Sequence, residues 1–263
     1  NYQMMLMKSL LTLANQDNRQ IIATTHVPAL AGLIPIEGIR YVTKDEKGMP
    51  AIMMPDDDVL KIAAESLGVL PETGLERAKG IVLVEGKSDI TFLKHAASTL
   101  KAEGFTPYDL EDKGIISIHV GGCGNVKHWV THKLADKLGL PWCVFLDSDI
   151  GGDPSQVKAN QKRKREVEAL GRAFYSTRKR EIENYLCPDL IQVQTGHAFT
   201  YSDTCDAKKI IGNGVGMAPD DVSDHFWPLM TAEKIKECSK YSDESGERVE
   251  LIELVENILS LVD

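Results

Sequence analysis

The stretch GIVLVEGKSD, residues 80–89, decides how the chain is read. Its ending, Gly86-Lys87-Ser88, is that of a phosphate-cradling loop of the form G-x-x-x-x-G-K-[ST]. The spacing is wrong for one, because the leading glycine would fall on Ile81 and Gly80 lies one position too early. Ile81, Val82, Leu83 and Val84 form an apolar run that suits a buried parallel strand, whereas a phosphate loop needs backbone free to wrap its N–H groups round an anion. The strand therefore runs up to Glu85. That places a carboxylate at its carboxyl end, followed by Gly86 for a sharp turn, Ser88 as N-cap of the next helix and Asp89 in that helix's first turn. Two anionic side chains at one strand-to-helix turn repel a triphosphate unless cations intervene, so the turn reads as one built to hold a metal ion. A plainer alternative, a solvent-exposed Glu and a helix-capping Asp, fits the same ten residues.

Downstream of this turn, strands alternate with helices. Strands are expected at 80–85, 115–120, 142–147 and 172–176, and helices at 88–103, 125–138 and 155–170. Such alternation predicts an α/β fold, a small parallel sheet with helices on both faces. Upstream, residues 2–15 read as a helix, RQIIATTH (19–26) as a strand, GIRYVTKDEKGMPAIMM (38–54) as a hairpin turning at Asp45 to Gly48, and PDDDVLKIAAESLGVL (55–70) as a helix. Beyond Tyr185 the strand signal fades and short helical segments run to Asp263.

Ligands of open parallel sheets gather outside the carboxyl ends of the strands. The third strand, in PWCVFLDSDIGGD, runs into Asp147 with Asp149 two residues on, so Glu85, Asp89, Asp147 and Asp149 are expected at one edge. RKREIENYL brings Glu181 and Glu183 to the same edge after the last strand. So many carboxylates together need cations. Hard oxygen ligands favour Mg2+ or Mn2+, and two such ions about 3.5–4 Å apart can clamp the attacking and leaving oxygens of a phosphodiester. Between these segments HVGGCGNV supplies Gly121, Gly122 and Gly124, whose backbone could approach a phosphate, with Asn125 as a helix cap. His128 and His132, four apart near Cys123, lack the further ligands of a zinc site and read as surface or packing residues.

At 263 residues with 43% hydrophobic side chains, the chain can bury one large or two modest cores. No apolar run reaches the ~20 residues that span a bilayer, and no signal-peptide layout opens the sequence, so a soluble, cytoplasmic protein without membrane contact is expected. Five scattered cysteines without a C-x-x-C pair suit reduced thiols. The net charge of −9 would count against a polyanion partner, but residues 158–180 carry nine basic side chains against two acidic ones. Lys158, Lys162 and Arg165 share one helical face there, which makes the stretch a candidate track for DNA; a merely solvated helix face is the bland alternative.

Glu85 in VEGKSD, Asp147 and Asp149 in LDSD and the four strands around them resemble the Toprim domain of topoisomerases, primases and some nucleases. IIATTHVPAL resembles the end of an ABC-type ATPase domain, with His26 in the place of its switch histidine. Together with GGCGN and REIENYL in that order, the chain over residues 15–215 resembles the carboxyl-terminal region of the OLD (overcoming lysogenization defect) family of nucleases. The resemblance implies metal-dependent DNA cleavage within an ATP-regulated, phage-defence protein, with self-association through an ATPase domain represented here by its tail alone. It implies Glu85, Asp89, Asp147, Asp149 and Glu183 as ligands, with Glu181 beside them, and Glu85 and Asp147 at the chemistry. It also implies a catalytic lysine downstream, for which CDAKKIIGNG offers Lys208, the first choice, or Lys209. Arg178 and Lys179 join Lys158, Lys162 and Arg165 as expected DNA contacts. The expected organisation is an ATPase tail over 1–75, a Toprim domain over 76–187 and a helical subdomain over 188–263. Two other readings remain: a non-catalytic DNA-binding or assembly module whose acidic cluster only binds a metal, and a topoisomerase- or primase-like Toprim reaction.

Overall fold

The computed structural model describes residues 78–120 and 139–262, together with 9–10, 12–14, 19–24, 38, 40–44, 48–53 and 136. The chain divides into two compact units, Asn1–Glu76 with Lys127–Gly139, and Arg77–Val126 with Leu140–Asp263.

In the first unit, β1 (Tyr41–Lys44) and β2 (Pro50–Met53) pair antiparallel with Tyr41 opposite Met53. Gly48, at φ 76°, takes the left-handed turn conformation that closes the hairpin. The strand expected in RQIIATTH is not formed over its described residues 19–24, which have neither helix nor ladder. Residues 19–24 are all exposed, Ile21 and Ile22 at 37% and 85%, and a β-branched run left exposed gains little from a strand. The helix expected at 55–70 and His26 lie outside the described residues, as do Gly121, Gly122, Cys123, Gly124, Asn125, His128 and His132.

The second unit is built on four parallel strands, β3 (Gly80–Val84), β4 (Ile115–His119), β5 (Trp142–Leu146) and β6 (Phe174–Ser176), in the spatial order β4-β3-β5-β6. Every residue of the two central strands is buried, which is why they read as continuous apolar runs instead of alternating ones. Helix α1 (Lys87–Ala102) follows β3 and buries Phe92, Leu93, Ala96, Ala97 and Leu100, a spacing of three and four that turns one stripe to the core. Helix α2 (Pro154–Glu168) follows β5, opened by Asp153 accepting the Ser155 N–H at 2.8 Å and by Pro154 in the first turn.

The remaining elements are α3 (Pro188–Thr195), α4 (Ala207–Val215), α5 (Val222–Phe226), α6 (Ala232–Cys238), β7 (Lys240–Asp243), β8 (Gly246–Val249) and α7 (Glu250–Leu259). α5, α6 and α7 pack on α1, so the carboxyl-terminal helices share the sheet's hydrophobic core. At its centre the Phe92 ring lies 4.5 Å from Trp227 and 5.7 Å from Phe145, centroid to centroid. The hairpin β7–β8 corrects the expectation of helices alone beyond Tyr185. Its strands are mostly exposed and polar, so no apolar alternation announced them; Gly246 at φ 113° makes the turn. Among the described residues no helix is long and apolar enough to cross a membrane.

Candidate metal centre

Helix α1 begins one residue after Gly86, so Gly86 and not Ser88 is its N-cap. The cause is Asp89, whose carboxylate reaches back to accept the Gly86 N–H at 2.8 Å and so starts the helix earlier. This draws Asp89 inward, where it is 8% exposed. Burial, then the neighbouring Glu85 charge, pushes its pKa up to about 6, although backbone N–H donors and Lys208 pull the other way.

β5 ends at Leu146 and delivers Asp147, whose Oδ1 accepts the Ile182 N–H at 3.0 Å. The Asp147 carboxyl lies well above the usual carboxylate range, first through burial and then through the charges of Asp89, Glu183, Glu181 and Glu85. Those four names define the cluster. Glu181 caps the start of a short 3-10 turn, Ile182–Tyr185, and Glu183 lies within it; they are 4% and 5% exposed. Glu181 accepts the Lys208 N–H at 3.0 Å, and Glu183 accepts from the Ser223 hydroxyl at 2.9 Å. Burial and the Glu181 charge push Glu183 up to about 7.

Lys208 is the cation of the cluster. Burial works against its ammonium, yet Glu183, Glu181, Asp147 and Asp220 outweigh that and hold its pKa above the ordinary lysine value. Lys209 is turned away, 65% exposed and paired with Asp206 at 3.3 Å. Helix phase explains the difference: Asp206 caps α4 by accepting the Lys209 N–H while Glu181 takes that of Lys208.

Asp149 follows two residues after Asp147, with one carboxylate oxygen held by α2. Its Oδ2 accepts from Asn160 of α2 at 2.8 Å, and its backbone lies at φ 56°. The loop beyond is packed closely, since Gly151 has φ 76° and a Cβ there would strike Thr204. Arg180 ties the segments together: its carbonyl accepts the Asp149 N–H at 3.0 Å, its N–H donates to the Asp203 carbonyl at 2.7 Å, and its guanidinium meets Asp206 at 3.3 Å.

Of the basic residues, Lys158, Lys162 and Arg165 are exposed on α2. At ~100° per residue the first two lie on the side of the helix opposite the inward-facing Asn160. Arg178 is exposed and stacks over the Tyr241 ring, 3.9 Å from its centroid. Lys179 is held within the fold by Asp203 at 3.1 Å and the Asn184 carbonyl at 3.1 Å. Sequence reasoning missed Asn160 and Ser223. Asn160 had a signal, since it falls in step with Val157 and Val167, a polar residue on the helix's inward stripe.

All the donors are hard oxygens, and crowded carboxylates that raise one another's pKa are what a divalent cation would relieve, so the chemistry of the set fits Mg2+ or Mn2+. Four carboxylates, those of Asp89, Asp147, Glu181 and Glu183, are turned to protein donors. Among the described residues no three His, Cys, Asp or Glu side chains stand ready around a common point.

Residues 78–149, from the start of β3 to the loop after β5, match the family model described as "Overcoming lysogenization defect protein-like, TOPRIM domain". This segment is an OLD-like Toprim domain. The match takes in Glu85, Asp89, Asp147 and Asp149, while Glu181, Glu183 and Lys208 lie beyond it. Among solved structures, the chain is similar to the C-terminal region of the Xanthomonas campestris pv. campestris OLD protein at 13% identity over 70% of this chain and 96% of that one, with a TM-score of 0.42. The C-terminal region of the Burkholderia pseudomallei OLD protein is similar at 13% identity over 71% and 99%, with a TM-score of 0.43. No curated protein matches the chain.

Proposed function

We propose that this chain is the nuclease part of an OLD-type protein, hydrolysing DNA phosphodiesters with two divalent cations, Mg2+ or Mn2+. The reading is supported by the carboxylates that follow the strand ends of the Toprim segment: Asp147 feels the charges of Asp89, Glu183, Glu181 and Glu85 and accepts the Ile182 N–H, and Glu181 accepts the N–H of Lys208, whose ammonium feels Glu183, Glu181 and Asp147. Glu85, Asp89, Asp147, Asp149, Glu181 and Glu183 are the residues that would hold the cations. When bound, such ions neutralise the cluster, polarise the phosphodiester and make water a stronger nucleophile. Asp89 and Glu183, which hold their protons more tightly than a free carboxyl, would have to be ionised to serve as ligands.

Lys208 supplies fixed positive charge. Its ammonium, kept protonated by the surrounding carboxylates, suits the non-bridging phosphate oxygens, whose charge grows toward the pentacoordinate transition state. The exposed Lys158, Lys162 and Arg165, with Arg178, are suited to duplex phosphates, whereas Lys179 is committed to Asp203 and Asn184.

Plasmid cleavage tests the reading. Cutting should require Mg2+ or Mn2+, stop in chelator and disappear in Asp147→Ala, a change at the rim of the sheet that leaves the core strands intact. Undiminished cleavage in excess EDTA, or by Asp147→Ala, would overturn it.

A further inference from the structure

We infer that Asn160 is a positioning residue for the acidic edge: its amide locks the loop from Asp147 to Asp149 and aims the Asp149 carboxylate for cation binding. The inference rests on the cation-dependent reading above. Asn160 is 6% exposed in the middle of a strongly basic helix, and a buried amide must find partners for both of its ends. Its Nδ2 donates to the Asp147 carbonyl at 3.0 Å and to Asp149 Oδ2 at 2.8 Å. Its Oδ1 accepts from Arg163 Nη1 at 2.5 Å. These partners fix which way the amide faces, since the reverse orientation would set its oxygen against a carboxylate and its NH2 against a guanidinium.

The loop needs such a hold. Asp149 is the one non-glycine among the described residues with positive φ, at 56°. That conformation costs about 1–2 kcal/mol for most L-residues and less for Asp, which enters it more readily, so the contacts around Asp149 are what select it here. The Asp149 N–H donates to the Arg180 carbonyl and the Asp149 carbonyl accepts the Gly152 N–H, each at 3.0 Å, which fixes the backbone. Asn160 is what fixes the side chain. Partners that orient a ligating carboxylate typically govern metal affinity by about 10–100-fold when removed. Arg163 stands one bond further out and should act in the same direction more weakly.

The experiment is calorimetric titration of Mn2+ into metal-free protein. Asn160→Ala should weaken the affinity by about 10–100-fold and Arg163→Ala by less. In an Asp149→Asn background the effect of Asn160→Ala should shrink markedly, because the residue works mainly through that carboxylate. In cleavage, the Mn2+ concentration giving half the maximal rate should rise by the same factor while the rate at saturating Mn2+ stays within about threefold of wild type, a split that a general packing defect would not produce. Wild-type Mn2+ affinity in Asn160→Ala, or an equal loss in the Asp149→Asn background, would overturn the inference. Should Asn160→Ala fail to fold, Arg163→Ala carries the same titration with the amide in place: a weakened affinity supports the inference and an unchanged one overturns it. A wild type that binds Mn2+ in this Asn160-dependent way without cutting DNA would uphold it and sink the nuclease reading. A wild type that binds no Mn2+ would sink both.

Discussion

Asp89→Asn isolates one carboxylate of the cluster without disturbing the turn, because the Asn side-chain oxygen can still accept the Gly86 N–H that Asp89 takes at 2.8 Å. Asp89 is pushed from 3.8 up to about 6, first by burial and then by Glu85. A group whose folded pKa is raised binds protons more tightly folded than unfolded. Its contribution to stability is therefore full below about pH 4 and is lost as pH rises through about 6. By neutral pH the ionised carboxylate costs the folded protein about 3 kcal/mol relative to a neutral isostere. For a chain of this size that is a difference in Tm of roughly 6–12 °C, so metal-free Asp89→Asn should melt above wild type at pH 7.5 and level with it near pH 4. Mn2+ should then reverse the order at pH 7.5, since a cation that binds only the folded protein stabilises it according to its affinity, and the variant has lost a ligand. Differential scanning calorimetry across pH 4–8 with and without Mn2+ reads both effects. Melting profiles that stay parallel throughout, or equal Mn2+ stabilisation of both proteins, would refute the account of a carboxylate held in tension first by burial and then by its neighbour's charge.

Lys208→Ala should slow cleavage by about 10²–10³ with DNA and metal affinity little changed, the scale of losing one charge-stabilising donor, and Lys209→Ala should be nearly silent; equal small losses would dismiss the assignment. Replacing Lys158, Lys162 and Arg165 by Ala should flatten the salt dependence of DNA binding by up to ~0.9 per lost duplex phosphate contact, and an unchanged slope would leave α2 a solvated face. Tyr185→Phe should destabilise the fold by about 1–3 kcal/mol in urea unfolding, because the hydroxyl that donates to Glu250 at 2.7 Å and accepts from the Lys179 N–H is lost, while the Arg178 N–H keeps Glu250 as a partner at 2.6 Å; unchanged stability would mean that Glu250 and the Lys179 N–H find water.

The elements that could be read from sequence are those whose environment is uniform along the strand. β3 and β5 are buried on both faces, so five apolar residues in a row admit one reading, and the carboxylates that follow them, Glu85 and Asp147, inherit their place from the strand ends. Glu181 and Glu183 were legible for the same reason, as the first acids after β6. What escaped depends on particular polar contacts that no hydrophobic period marks. The exposed hairpin β7–β8 is held by pairs such as Arg248 with Glu253 at 2.6 Å and Tyr241 with Glu253 at 2.8 Å, and no hydrophobic period marks it. Asp149 stands two residues from Asp147 in sequence, yet one of its carboxylate oxygens is held by Asn160 of α2, a contact that the spacing of the two aspartates does not announce. The choice between Lys208 and Lys209 turns on helix phase, which neighbouring residues alone leave open. A cap at Asp206 and a buried acceptor at Glu181, 27 residues from Lys208, set that phase, so the cation that faces the cluster is selected by the same carboxylate it serves.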